Sequence, residues 1–304
     1  MTPHASSRRR GAAAGYPRKR VVYYPSRVAG LVTLGYLLLT FPLLWRGSEN
    51  ERHATTIAVL HVVAILALWW SLRGPRAWSV WWSVWDVLAD WLPLLLVPFL
   101  YAELPYLMGP AVAYHDAVVR GWEDWLFGTQ PARTLAGALP YVALSEALHL
   151  AYILFYAIVY VPPLLLYVAG RRADFGRTVL AVMATYVICF VIFVAFPVEG
   201  PRYAWPAPPG VPDGPVRWLT LAILERGSSR GTAFPSSHAA VAAAQAVAGL
   251  RYQPLVGAIV SATTVLLMTG AVYGGFHYGV DMLVGAAVGV TLALAVARRH
   301  VPNS

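Results

Sequence analysis

Cysteine is almost missing from this chain: Cys189 is the only one in 304 residues. A lone thiol in an apolar stretch closes no intramolecular disulfide and completes no paired-cysteine zinc site, so it reads as a small core residue. Charge is scarce too. Only 12% of residues are charged, against about 25% in soluble domains, which excludes an ordinary water-soluble surface. What fills the sequence instead is apolar. Hydrophobic residues make up 58%, and 12 Trp with 17 Tyr supply the pair that gathers at membrane–water interfaces. The length points to one domain and the composition to the membrane class.

A bilayer-crossing helix needs about 20 apolar residues. Eight stretches qualify, at residues 28–45, 55–72, 88–108, 144–168, 178–197, 236–250, 255–273 and 278–297. The expected fold class is therefore all-α, a polytopic membrane helix bundle. The start of the third stretch is blurred by Trp78, Trp81, Trp82 and Trp85, which suit a helix lying in the interface; Asp86 and Asp90 then sit near the headgroups. The sixth is short and rich in alanine, made for close packing. Residues 1–25 read as a disordered basic tail. The apolar run after it is too long for a signal-peptide core and lacks a small-residue cleavage site, so it reads as an uncleaved helix.

Charge sets the orientation. With the amino terminus inside, the cytoplasmic segments hold 15 of the 23 basic residues, among them Arg73, Arg76, Arg171, Arg172, Arg177, Arg251, Arg298 and Arg299, with Asp174 as the only acid. This is the positive-inside pattern. It assigns the net charge of +9 to topology and anionic lipid rather than to nucleic acid. Both termini are expected in the cytoplasm, in a multi-pass protein of the cell membrane. Of the two long outer loops, one carries Trp122–Gly128, whose mixed faces suit an interfacial helix. The other, residues 198–234, is rich in Pro, Gly and Arg.

The same count brings three segments to the extracytoplasmic face: Phe196-Pro197-Val198-Glu199-Gly200-Pro201-Arg202, Pro235-Ser236-Ser237-His238, and His277-Tyr278-Gly279-Val280-Asp281. His277 and Asp281, four apart, share a helix face. The carboxylate can fix the imidazole tautomer and leave the other nitrogen as base or nucleophile. Pro235 and the serines read as a helix start, a place that also holds phosphate. His238 follows, placed to donate a proton to a leaving oxygen. Arg202 supplies a fork for phosphate oxygens, and Arg230, eight residues before His238, is a further phosphate-binding candidate.

These segments resemble the type 2 phosphatidic acid phosphatase superfamily. Arg202 matches the arginine of its first motif; Pro235, Ser236 and His238 match the second, with Ser237 in place of glycine; His277 and Asp281 match the third. The resemblance implies a six-helix catalytic core, here residues 77–298, preceded by two further transmembrane helices at 26–76 and followed by a tail at 299–304. It implies attack of His277 on phosphorus to give a phosphohistidine, orientation by Asp281, proton transfer by His238, and no metal or cofactor. Two family cations are absent, at Ala195 and Ala271. That pared-down pattern, with Trp125-Leu126-Phe127-Gly128 and Asp90-Trp91-Leu92-Pro93, is similar to the branch of inositol phosphorylceramide and sphingomyelin synthases and its bacterial relatives. The implied partner is a membrane lipid with a phosphate headgroup; oligomeric state is left open.

Three readings compete. The first is a lipid phosphotransferase passing the group to an alcohol, or a phosphatase passing it to water. The second is a transporter with a His/Asp relay, which would show duplicated halves or interrupted midplane helices. The third is a metal hydrolase ligated by His238, His277 and Asp281. Outside the cluster, His61 and His149 read as packing residues. Glu103 and Glu146 lie where they could line the substrate's way in. Gly285 and Gly289 have the spacing of internal helix packing. No partner is evident for His115-Asp116.

Overall fold

The computed structural model describes residues 25–46, 51–73, 84–207 and 210–298. The basic tail up to residue 24, Trp78, Trp81, Trp82 and the residues after 298 lie outside this set. Every named element is helical. α1 (Pro25–Thr40) runs into a 3-10 turn (Phe41–Arg46), and α2 (Glu51–Arg73) returns. A broken span follows as α3 (Val84–Leu95), α4 (Val97–Ala102) and α5 (Leu104–Met108), then the short α6 (Asp116–Phe127) and α7 (Pro131–Ala138). α8 (Val142–Ile153) and α9 (Phe155–Val168) lead to α10 (Arg172–Ala195). A loop region holds α11 (Pro201–Ala204) and α12 (Pro215–Gly227), and α13 (Ser237–Tyr252), α14 (Pro254–Tyr273) and α15 (Gly279–Arg298) close the chain.

Six helical stretches are long and apolar enough to cross a membrane, and α8 with α9, bent by 47°, makes a seventh if taken as one span. The architecture is thus the all-α polytopic bundle the composition requires. An eighth span is reached only by adding α13. Its 16 residues give a length of about 24 Å, short for a bilayer, and it lies in the middle of the bundle instead, packed on α9, α10, α14 and α15. The third span begins at Val84, earlier than residue 88, because Trp85, Asp86 and Val87 are already helical. Pro98 has no N–H to offer the Leu94 carbonyl; the Tyr160 hydroxyl donates to that oxygen at 3.5 Å instead.

Backbone proximity organises the centre. α13 is rich in alanine, and α15 meets it with glycine. A Cβ added to Gly289 would fall 1.8 Å from the Ala240 carbonyl oxygen, and one on Gly285 would fall 2.4 Å from that of Ser236. The pair therefore serves contact between helices of one chain, packing driven by van der Waals fit where lipid removes the hydrophobic drive. α10 packs on α1, α3, α5, α9, α13 and α15, and an almost uniformly apolar helix is what such a central position demands.

Two acidic residues near the outer ends of their apolar stretches are taken up by contacts within the bundle. Glu103, in the break between α4 and α5, is fully buried against His61 of α2, 2.7 Å from Nδ1. The other imidazole nitrogen of His61 meets the Leu37 carbonyl at 2.9 Å. The pair joins α1 and α2 to the rest of the bundle, as buried ionisable groups in lipid must find partners. Glu146 instead accepts the backbone N–H groups of Val216 and Arg217 at 2.8 and 3.0 Å. It caps α12. His149 is a packing residue held at 2.6 Å to the Ser145 carbonyl.

Glycine 289 gives a direct test of the central contact. Gly289→Ala, which adds one methyl against backbone, is expected to lower stability by about 1–3 kcal/mol. Gly35→Ala, with nothing within 4 Å, leaves it unchanged or slightly raised; thermal unfolding in one detergent compares them.

Candidate active site

His277 lies in the turn between α14 and α15, whose amides are fixed by the Ala271 carbonyl: Phe276 and His277 donate to it at 2.8 and 3.2 Å. Asp281, one turn into α15, is fully buried. Its Oδ2 accepts the Tyr278 N–H at 2.8 Å and stands 3.3 Å from Nδ1 of His277. Nε2 of His277 faces the Ser236 hydroxyl at 3.5 Å. Burial pulls the His277 imidazole down to about 4, against a smaller opposing pull from the Ala233 carbonyl. At neutral pH the ring is uncharged, the form that carries a nucleophilic lone pair.

Ser236 caps α13 as its position suggested, accepting the Ala239 N–H at 3.4 Å, and its own N–H donates to the Asp281 carbonyl at 3.0 Å. The starts of α13 and α15 are thereby tied together. His238 stacks on Tyr152, ring centroids 5.1 Å apart, and lies 4.2 Å from the Phe155 ring centroid. Its ring is 6.1 Å from that of His277.

A cavity of about 510 Å³ opens in front of these groups. Its wall holds polar groups, among them His238, His277, Ser237, Arg202, Glu199 and Arg226, together with apolar and tyrosine side chains, among them Val97, Pro98, Tyr101, Phe155, Tyr156 and Val159. Arg202 sits in the single turn of α11 and donates from Nη1 to the Ser228 hydroxyl at 2.9 Å. Gly200 makes that turn possible: its φ of 90° suits glycine, and a Cβ there would fall 2.9 Å from that of Ala233. Of the sequence candidates, His238, His277, Arg202 and Ser237 meet at the cavity, with Asp281 and Ser236 directly behind His277. Arg230 does not join them. It pairs at 3.3 Å with Glu199, itself in the cavity wall, and keeps 62% of its side chain exposed. Among the described residues, no three His, Cys, Asp or Glu side chains converge as a metal-ligand set.

The support of this site was not anticipated. α6 buries one face, Asp116, Val119 and Glu123, while Trp125 on the other is 85% exposed. Asp116 accepts the backbone N–H groups of Glu199 and Gly200, both at 2.9 Å, and the Tyr278 hydroxyl at 3.0 Å. Glu123 accepts the N–H groups of Gly279 and Val280, both at 2.9 Å, where α15 starts. Burial raises the Glu123 carboxyl, and those two N–H donors offset part of the rise. The spacing i, i+3, i+7 of Asp116, Val119 and Glu123 was the available signal: it gives two acids and a valine one face.

Spanning helices around a buried pocket with two histidines, an arginine and a helix-start serine define a polytopic membrane protein equipped for phosphate chemistry. A family model described as the PAP2 superfamily matches residues 117–296, more than half of the chain, and the chain belongs to that superfamily. The match covers α6 to α15 almost entirely and leaves α1 to α5 outside. No curated protein and no solved structure matches the chain. Membership makes the protein one of phosphatase or phosphotransferase type.

Removing the α6 carboxylates tests their support. Asp116→Ala leaves two amides and a hydroxyl without their acceptor, at about 1–3 kcal/mol for each buried group left unpaired. Lower thermal stability and lower turnover are both expected. A double-mutant cycle with Tyr278→Phe should show non-additive coupling between the two residues.

Proposed function

We propose that the protein is an integral membrane lipid phosphotransferase, cleaving a lipid phosphoester through a phosphohistidine and passing the group to an alcohol. The observation that carries this reading is the neutral His277 facing His238 across one cavity, with Arg202 and Ser237 in its wall. In the first step His277 Nε2 attacks phosphorus and the bond to the lipid oxygen breaks. The leaving oxygen takes a proton from His238, which enters the step as an imidazolium paired with the negatively charged substrate phosphate. In the second, the acceptor hydroxyl gives its proton to His238 and attacks the phosphohistidine, and the P–N bond breaks. Asp281 holds the Nδ1 side of His277 and stabilises charge as it attacks. Arg202 and Ser237 steady the phosphate oxygens. No step requires a metal, and activity that persists with a chelator is expected.

The substrate class follows from the wall. The wall combines polar groups with apolar and tyrosine side chains, and Tyr156 lines the cavity while remaining 51% exposed on the bundle. An acyl chain held between α4 and α9, with its phosphate at Arg202, uses both kinds of lining. Water is the competing acceptor, which makes the protein a lipid phosphate phosphatase. The synthase-like branch rests on the motif pattern: Ala271 is fully buried, and neither it nor Ala195 lines the cavity, so neither missing cation is replaced in place. The positive-inside count puts the site on the extracytoplasmic side. In its support, Arg171 donates to the Tyr252 carbonyl at 2.6 Å, joining the basic start of α10 to the end of α13 remote from His238.

Purified protein with lipid labelled in its phosphate tests the reading. His277→Ala is expected to form no acid-labile phosphoprotein and no product, and Asp281→Asn to lose roughly 10²–10⁴ in kcat. An added alcohol should shift product from free phosphate to a new ester. Unchanged turnover in His277→Ala would overturn the mechanism.

A further inference from the structure

A second, smaller cavity of about 140 Å³ shares Arg202 and Phe276 with the catalytic one. It has room for several waters, since one needs only about 15 Å³. Three guanidinium-bearing residues line it, Arg133 from α7, Arg202 from α11 and Arg217 from α12, and among its described lining residues there is no Asp or Glu. Each arginine is held. Arg133 lies over the Trp205 ring at 5.1 Å, Arg202 bonds Ser228, and Arg217 pairs with Asp213. Arg217 keeps only 15% of its side chain exposed, while Asp213 is 92% exposed. The α12 amides are not free to help, because Glu146 takes those of Val216 and Arg217.

We infer that this cavity is a second anion site, for a phosphate group, coupled to the catalytic cavity through Arg202. Three arginines present more charge and more N–H donors than their own neighbours use. A phosphate, with three outer oxygens, suits three forks better than a two-oxygen carboxylate. Arg202 and Phe276 line both cavities, and Phe276 directly precedes His277. An anion in the small cavity therefore draws on the same positive charge that a substrate phosphate needs, and each weakens the other by the same factor. The phosphate is either a free ion or the headgroup of an anionic bilayer lipid.

Binding of labelled inorganic phosphate at millimolar concentration, to the full chain in neutral detergent, tests the site without relying on the proposed reaction. The expected result is a phosphate site that survives in His277→Ala and weakens at least about tenfold when Arg133→Gln and Arg217→Gln are combined. Arg133→Glu alone, at an exposed position, gives the same loss if the double variant does not fold. Phosphate binding unaffected by these arginine changes, or absent altogether, would overturn the inference. Vesicles of neutral lipid, with and without phosphatidylglycerol, separate the sources. Loss of the arginine-dependent site for free phosphate in the anionic vesicles identifies a lipid headgroup, and its retention in both identifies the free ion.

Discussion

The site depends on carboxylates binding backbone amides. Asp116 takes the amides of Glu199 and Gly200, and Glu123 those of Gly279 and Val280. Arg202 follows the first pair by two residues, and His277 precedes the second by two. One short helix, α6, thus fixes both the segment with the arginine and the segment with the nucleophile candidate. Helix starts leave amides without partners, and in a low-dielectric bundle an unpaired amide is costly. Glu123 resolves this for α15 from outside, leaving Asp281 within the helix to face His277.

The second constraint is packing without a hydrophobic drive. α13 carries Ser236, Ser237 and His238 at its start, and its helix must come close to α15 for His238 and His277 to share a cavity. Alanine along α13 and glycine at 285 and 289 allow that approach. Ser236 then donates its amide to the Asp281 carbonyl, so helix contact and site geometry form one arrangement. The bend between α8 and α9 adds the aromatic side of the pocket, because Tyr152 and Phe155 flank the break and both reach His238.

Arginine plays several roles, which local sequence does not distinguish. Arg202, Arg217, Arg226 and Arg230 belong to one loop region of similar composition. Arg202 and Arg226 line the larger cavity, Arg217 the smaller one, and Arg230 pairs with Glu199 at the wall of the larger. Arg133, more than sixty residues before the first of the three site segments in chain order, joins Arg217 only because α7 folds back against the loop.

The sequence by itself determined the class of fold and the phosphatase or phosphotransferase type that superfamily membership carries. Apolar runs have no other use than burial in lipid or core, and the spacing of His277 and Asp281 places them on one helical face whatever surrounds them. The motif serines and His238 were legible for the same reason, since a helix start is a local event. Tertiary structure decided what depends on distance across the chain. It placed α13 in the middle of the bundle, set Glu103 against His61 and Glu146 on the start of α12, and paired Arg230 with Glu199 of the cavity wall. It also gave Asp116 its partners 83 and 84 residues away. A carboxylate in a sequence shows its charge but not which amide lies unpaired beside it, and that is settled only when the helices pack.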